Sequence, residues 1–136
     1  MIIVNTDNPT GIWTEGPYRR FIASFLSHNL QSEVSGFSMG MVILPPGGKG
    51  NPHSHPAAQE SWYVLEGHGR VVIGEETAPI RKGDVIYGPA GVAHALINDS
   101  DSEPLKALLV LCPGGDERNV TDVLLSGGGM DYESGR

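Results

Sequence analysis

Cysteine is almost absent from this chain: among its 136 residues, Cys112 is the one cysteine. A single cysteine cannot form an internal disulfide bond, so disulfides do not hold this fold together. Because Cys112 ends an apolar run that begins at Ala107, we expect its thiol to be buried and structural. Long apolar runs are missing as well, and no stretch reaches the roughly eighteen apolar residues of a membrane-spanning helix. Residues 1–7 lack the basic start and apolar stretch of a secretory signal, so we expect a cytoplasmic protein with no membrane partner.

Basic residues are also scarce. The chain has 9 lysines and arginines against 16 aspartates and glutamates, which gives a net charge of −7. The electrostatic field of a negatively charged protein repels the phosphates of nucleic acids and of anionic membrane surfaces. We therefore expect no nucleic-acid partner.

Glycine and proline, in contrast, are abundant, with 19 glycines and 10 prolines. Both residues interrupt helices and strands, so this composition favours short strands joined by many tight turns. Apolar residues make up 39% of the chain, which is enough for one modest core but not for two at this length. The sequence predicts a single domain over residues 1–136.

Short apolar runs bounded by turn residues recur along the chain and predict β-strands. They cover residues 37–44, 61–65, 70–73, 84–87, 93–97 and 105–111. This regular spacing is typical of an all-β sandwich or barrel. The simplest connection between the second and third runs is a hairpin about Gly67.

Two stretches do not fit this pattern. Apolar residues between Tyr18 and Leu26 match both a helical stripe and the alternation of a strand, so periodicity leaves that segment open. Residues 126–136 are rich in glycine and polar side chains. They are expected to form a flexible tail or an arm laid on a partner subunit.

Candidate metal ligands are concentrated between residues 47 and 98. His53 and His55 are two positions apart, so both side chains project from the same face of an extended segment. Glu60 follows at an odd offset and reaches that face only if the chain turns at residues 56–59, where Pro56 makes a turn plausible. His94, from a separate predicted strand, would complete a cluster of three imidazoles and one carboxylate.

Three further side chains are candidate substrate contacts. Trp62 shares the face of Glu60 by the strand period of two, which makes it a candidate wall of a cavity. Gln59 lies beside a candidate ligand and could bind substrate or only complete the turn. Tyr87 could line the pocket or pack in the core.

These residues stand in a pattern that closely resembles the two motifs of the cupin superfamily. The first motif, G-x5-H-x-H-x4-E-x6-G, is matched in full by Gly47, His53, His55, Glu60 and Gly67. The second, G-x5-P-x-G-x2-H-x3-N, is matched in full by Gly83, Pro89, Gly91, His94 and Asn98. Ten specified positions in the right order make this a specific resemblance, although it covers closely only about fifty residues.

The resemblance implies a fold and a site. The fold is a double-stranded β-helix, also described as a cupin jelly-roll β-barrel, with residues 47–98 as the metal-site core and residues 18–27 as a strand. Inside the barrel, one divalent transition metal ion would be held by the two motifs' ligands, His53, His55, Glu60 and His94. The resemblance also suggests a homodimer.

The donor atoms limit which metals fit the site but do not identify one. Imidazoles with a carboxylate suit Fe, Mn, Ni, Co, Cu or Zn, whereas Ca and Mg prefer oxygen ligands alone. Four protein ligands on a six-coordinate ion leave two positions for a small-molecule substrate, water or dioxygen. Three functions fit: a dioxygenase acting on a small oxygen-rich molecule, ranked first; a redox-neutral isomerase, decarboxylase or lyase of a sugar or organic acid; and a non-catalytic binding protein.

Overall fold

The computed structural model describes all 136 residues and is built mainly of β-strands. The strands are β1 (Thr10–Trp13), β2 (Phe21–Leu26), β3 (Ser38–Leu44), β4 (Gln59–Glu66), β5 (His68–Ile73), β6 (Glu76–Arg81), β7 (Val85–Gly88), β8 (His94–Asn98), β9 (Leu105–Cys112) and β10 (Met130–Asp131). A 3-10 turn covers Gly16–Tyr18, and two helices, α1 (Arg118–Leu125) and α2 (Tyr132–Gly135), follow β9. None of these helices has the length and apolar character that crossing a membrane requires.

The strands form two antiparallel sheets. The large sheet has the order β10-β1-β2-β3-β9-β4-β7, and the small sheet has the order β6-β5-β8. The segment that periodicity left open is strand β2, which pairs with β3 from Phe21 opposite Ile43 onwards. The structure is therefore all-β in its framework, as the sequence predicted.

Apolar side chains pack on both faces of the large sheet. Between the two sheets, Val42 and Leu44 of β3 join Trp62, Leu96 and other buried residues in the barrel core. On the outer face, Phe21, Ala23, Phe25, Met41, Ile43 and Tyr132 form a second cluster, which we call the outer core. Strand β3 is thus covered on both sides, which explains why its sequence is a continuous apolar run and not an alternating one.

The predicted hairpin about Gly67 is wrong. Strand β4 pairs with β7 and β9 in the large sheet, whereas β5 pairs with β6 and β8 in the small sheet. Gly67 is the point where the chain crosses from one sheet to the other. It has a φ of 85°, and a Cβ atom there would collide with the carbonyl oxygen of Pro104, so both conformation and space require glycine.

Residues 126–136 pack against the rest of the chain in the structure, whereas the sequence predicted a flexible tail or an arm laid on a partner subunit. Met130 and Asp131 pair with β1, and Tyr132 is only 8% exposed. The Tyr132 ring packs on Trp13 and Phe21, with centroids 5.8 and 5.3 Å away. The glycine run before it is a turn that leads from α1 to this contact. The tail is therefore held by strand pairing and by one buried aromatic side chain, which its polar composition did not reveal.

We expect Tyr132→Ala to lower the free energy of unfolding by roughly 2–4 kcal/mol, because it removes a buried ring from the outer core. Urea denaturation monitored by circular dichroism measures this change. Tyr132→Phe is the matched control, since the Tyr132 hydroxyl makes no hydrogen bond in the protein, and it should stay close to wild type. Equal stability of the alanine variant and wild type would show that the segment is not anchored in solution.

The expectation of a buried thiol is also wrong. Cys112 is exposed, and its Sγ lies 3.3 Å from the carbonyl oxygen of Gly36. Leu111 on the same strand is buried at 4% exposure. Because side chains alternate along a strand, the residue after an inward-facing Leu111 faces outward.

Candidate metal site

The backbone places two of the candidate ligands side by side. The segment after β3 runs next to β8, so that the amide of His53 donates to the carbonyl oxygen of His94 (3.2 Å) and the amide of His94 donates to that of His53 (2.9 Å). This pairing adds a short fourth strand segment to the small sheet. It brings the first and second motifs into direct contact.

His55 and Glu60 reach the same place through a turn. The chain bends at residues 56–57 and enters β4, where Glu60 points inward opposite Gly88 of β7. The amide of Gly91 donates to the His55 carbonyl oxygen at 2.9 Å. Gly91 has a φ of 74°, so the second motif needs glycine there in order to support the first.

The structure brings all four candidate ligands together. One ligand atom from each of His53, His55, Glu60 and His94 lies within 4.8 Å of the others. Glu60 Oε2 is 2.8 Å from His94 Nε2 and 3.1 Å from His55 Nε2. Ligand atoms in adjacent positions of an octahedral ion with bonds of about 2.1 Å are about 3 Å apart, so these separations fit a shared cation.

Hydrogen bonds orient two of the imidazoles. His53 Nδ1 lies 2.7 Å from the Asn51 carbonyl oxygen, and His55 Nδ1 lies 2.9 Å from Asp116 Oδ2. Because both partners accept, Nδ1 carries the proton in each neutral ring, and the lone pair on Nε2 can bind a metal ion. In the structure, His55 Nε2 contacts Glu60 Oε2 at 3.1 Å. His53 as a whole is exposed, but partial desolvation of its ring lowers the pKa of His53 below its ordinary value, and this favours the neutral, metal-binding form.

His94 supplies the clearest sign that a cation fits. Its side chain is 5% exposed, and neither Nδ1 nor Nε2 has a hydrogen-bond partner. The close approach of Nε2 to Glu60 does not have hydrogen-bond geometry. A buried, unpaired nitrogen beside a buried carboxylate is costly unless something binds both. The residues therefore could hold a metal ion.

Trp62 supports His94 and lines the cavity above the cluster. Its ring lies 4.8 Å from the His94 ring in an edge-to-face contact. A Cβ on Gly88 would come within 3.0 Å of the Trp62 ring, so a side chain at that position would displace the indole. The cavity has a volume of about 210 Å³. Its apolar walls come from Ile22, Val42, Leu44, Leu96, Leu109 and Leu111.

Gln59 and Tyr87 are not at this cavity, which corrects their prediction as substrate contacts. Both side chains lie on the outer face of the large sheet, where the Tyr87 hydroxyl donates to Gln59 Oε1 at 3.0 Å. Glu60 points inward, so its neighbour Gln59 points outward by the alternation of a strand. Tyr87 pairs with the outward-facing Ser61 and is 58% exposed.

Sequence reasoning missed three charged residues at the cavity, Arg20, Asp116 and Glu117. Arg20 precedes β2, and Asp116 and Glu117 lie in the loop between β9 and α1. None of the three belongs to either motif. The sequence shows that Asp116 follows two glycines after β9. It does not show whether this aspartate turns towards the cavity or towards solvent.

Comparisons with known proteins agree with this geometry. Residues 40–111 match the family model described as the cupin domain. A relative from Methanocaldococcus jannaschii, an uncharacterized protein, is 36% identical over 76 residues, which are 56% of this chain and 60% of that one. The chain thus spans less than two thirds of that relative.

Two solved structures share the fold. A predicted oxalate decarboxylase from Thermotoga maritima has a TM-score of 0.68 at 24% identity, with 84% of this chain and 100% of that one covered. A Cupin 2 conserved barrel domain protein from Salinispora arenicola has a TM-score of 0.67 at 22% identity, with coverage of 84% and 90%. These likenesses confirm the double-stranded β-helix. With the family model matched across both motifs, the chain belongs to the cupin family.

Proposed function

We propose that this chain is a metal-dependent enzyme that acts on a small oxygen-rich organic molecule, with dioxygenase chemistry as the first candidate. The observation that carries the proposal is the cluster itself: inward imidazole nitrogens and a buried carboxylate open onto a cavity with apolar walls. A structural metal site would be closed on all sides by protein ligands. This cluster instead faces space that a substrate can fill.

The metal would be held by His53, His55, Glu60 and His94. When bound, a divalent transition metal supplies Lewis acidity or one-electron redox chemistry. The protein's own contribution is positioning: Asn51 and Asp116 fix the two outward ring nitrogens, and Trp62 holds the His94 ring. The leucines around the cavity exclude water from the reacting groups.

Dioxygenase chemistry suits apolar walls, because dioxygen and a planar carbon skeleton both enter an apolar cavity easily. Both atoms of dioxygen end in the cleaved product, so the reaction needs no external reductant. The second candidate is a redox-neutral isomerase, decarboxylase or lyase. It is favoured by Asp116, whose side chain lies at the cavity and is 42% exposed. Its Oδ2 accepts from His55, and its other oxygen is available to move a proton.

Metal analysis and oxygen uptake test the proposal together. The protein is purified from medium containing Fe, Mn, Ni, Co, Cu and Zn, and its metal content is measured. Each reconstituted form is then mixed with enolic, catecholic and dicarbonyl compounds in an oxygen electrode. Oxygen consumption coupled to substrate loss supports a dioxygenase. Turnover under strict anaerobiosis would overturn that candidate in favour of the second, and a protein that binds none of the six metals would overturn both.

Asp116→Asn is expected to weaken metal binding about 10- to 100-fold, because the amide can no longer accept a charge-assisted hydrogen bond from His55 Nδ1. Competition with a chromophoric chelator measures the dissociation constant. Asp122→Asn on α1 removes the same charge from an exposed position and should leave metal affinity unchanged. An unaltered affinity in Asp116→Asn would mean that the His55 ring is held by its other contacts.

A further inference from the structure

The cavity contains one basic side chain, Arg20. It lines the same space as the metal cluster, and its guanidinium is paired with no carboxylate. Its one side-chain hydrogen bond runs from Nη1 to the carbonyl oxygen of Tyr18, at 3.2 Å. A guanidinium has five N–H donors in a planar fork, so most of the donors of this cavity-lining arginine have no partner in the chain.

The backbone of Arg20 is fixed. Its amide donates to Thr14 Oγ1 at 3.0 Å, and its carbonyl oxygen accepts from the amide of Thr14 at 2.9 Å. These bonds clamp the residue just before β2 enters the sheet. The arginine is therefore held at the cavity and does not lie on a mobile surface loop.

The acidic groups of the cavity are already engaged elsewhere. The Glu117 carboxylate accepts from Ser27 Oγ at 2.6 Å and from the amide of Gly115 at 2.9 Å. Asp116 accepts from His55. Glu60 belongs to the metal cluster and forms no ion pair with Arg20. Burial lowers the pKa of the Arg20 guanidinium, and the negative charge of Glu60 raises it by a smaller amount. No group of the chain itself neutralises Arg20.

From this arrangement we infer that Arg20 is the specificity residue for an anionic substrate, and that the substrate is a small carboxylic acid with an apolar body. A carboxylate matches the guanidinium fork with two parallel hydrogen bonds. The apolar body matches the leucine and valine walls. A volume of about 210 Å³ lies below the range typical of drug-sized ligands, which limits the acid to a small one. This inference rests on the proposed function, because the acid is taken to be the substrate of the metal centre.

Binding of simple acids tests the inference without any turnover. Each titration adds one small molecule to the ¹⁵N-labelled protein, and NMR follows the shifts of the protein's amide signals. The molecules are acetate, phenylacetate, benzoate and the neutral isostere benzamide. Both the metal-loaded and the metal-free protein are used. We expect the Kd of the best-binding acid to rise about tenfold or more in Arg20→Met. Arg20→Lys should retain part of the affinity, because it keeps the charge but loses the fork. Benzamide binding should change by less than about twofold.

Arg81→Met is the matched control, since Arg81 is exposed on β6 and away from the cavity. It changes the net charge equally and should leave every Kd unchanged. Equal carboxylate affinity in wild type and Arg20→Met would overturn the inference, as would an absence of binding by all three acids.

The two proposals fail in different ways. If the chain binds no metal but still binds carboxylates in an Arg20-dependent manner, the proposed function is wrong and Arg20 remains an anion site. If metal binds but the affinity for carboxylates does not depend on Arg20, the assignment of the metal centre is kept and the inference of an acid substrate is wrong.

Discussion

Replacing His53 with alanine is expected to weaken the binding of a divalent transition metal by at least about 100-fold. The loss of a direct ligand should exceed the 10- to 100-fold effect typical of residues that only orient ligands. His53 is the best ligand to remove, because it is exposed and its truncation leaves no cavity in the barrel core. Metal content after dialysis and chelator competition both measure the effect.

Glu60→Gln tests the same site from the opposite sheet. The amide keeps the shape of the side chain but removes the negative charge beside His94 and His55, so metal affinity should fall as strongly. His68→Ala is the matched histidine control, because His68 is exposed at the start of β5 and is not part of the cluster. Full metal content in folded His53→Ala and Glu60→Gln proteins would show that these residues are not metal ligands.

The second large effect is expected on stability, at Asn98. This side chain is 2% exposed, and its Nδ2 donates to the carbonyl oxygens of Leu44 (3.1 Å), Pro45 (3.0 Å) and Glu103 (2.8 Å). Its Oδ1 accepts from the amide of Ser100 at 3.0 Å. One amide thus joins the end of β3 to the loop between β8 and β9.

Asn98→Ala is expected to lower the free energy of unfolding by roughly 3–5 kcal/mol, because it leaves several buried backbone groups without partners. For a chain of this size, that corresponds to a fall in Tm of roughly 10–15 °C. Differential scanning calorimetry measures it on the metal-free protein, so that ligand effects do not interfere.

Two variants control this result. Asn5→Ala removes an asparagine from an exposed position and should change stability by less than about 0.5 kcal/mol. Asn98→Asp keeps the shape and the acceptor but loses the donors, so it should also be strongly destabilising. An Asn98→Ala protein within about 1 kcal/mol of wild type would contradict the role assigned to this amide.

The position of the metal cluster could be predicted from the sequence because strand geometry is regular. A spacing of two puts His53 and His55 on one face, and Pro56 supplies the turn that brings Glu60 round. The same rule, applied consistently, places Gln59, Tyr87 and Cys112 outside. The prediction for Gln59 rests on its place next to a candidate ligand, and those for Cys112 and Tyr87 rest on their apolar character. None of these predictions uses the alternation of side chains along a strand.

Arg20 and Asp116 could not be predicted, for a different physical reason. Each reaches the cavity from a segment whose path depends on tertiary packing. Arg20 depends on the clamp at Thr14, and Asp116 depends on the loop that leaves β9. The crossing between sheets at Gly67 could not be predicted either. A glycine between two strands looks the same in the sequence whether the two strands pair with each other or belong to different sheets.

The pairing of β1 with β10 has a consequence for the order of folding. Thr10 lies opposite Asp131, so this contact closes a loop that contains nearly all of the described chain. Closing such a loop in an unfolded chain has a high entropic cost, and the few hydrogen bonds gained do not offset it. Once β2, β3 and β9 are in place, the ends of the loop are already neighbours. Strand β1 can pair early with its neighbour β2, but β10 should dock after the metal-binding strands have formed and should open before them.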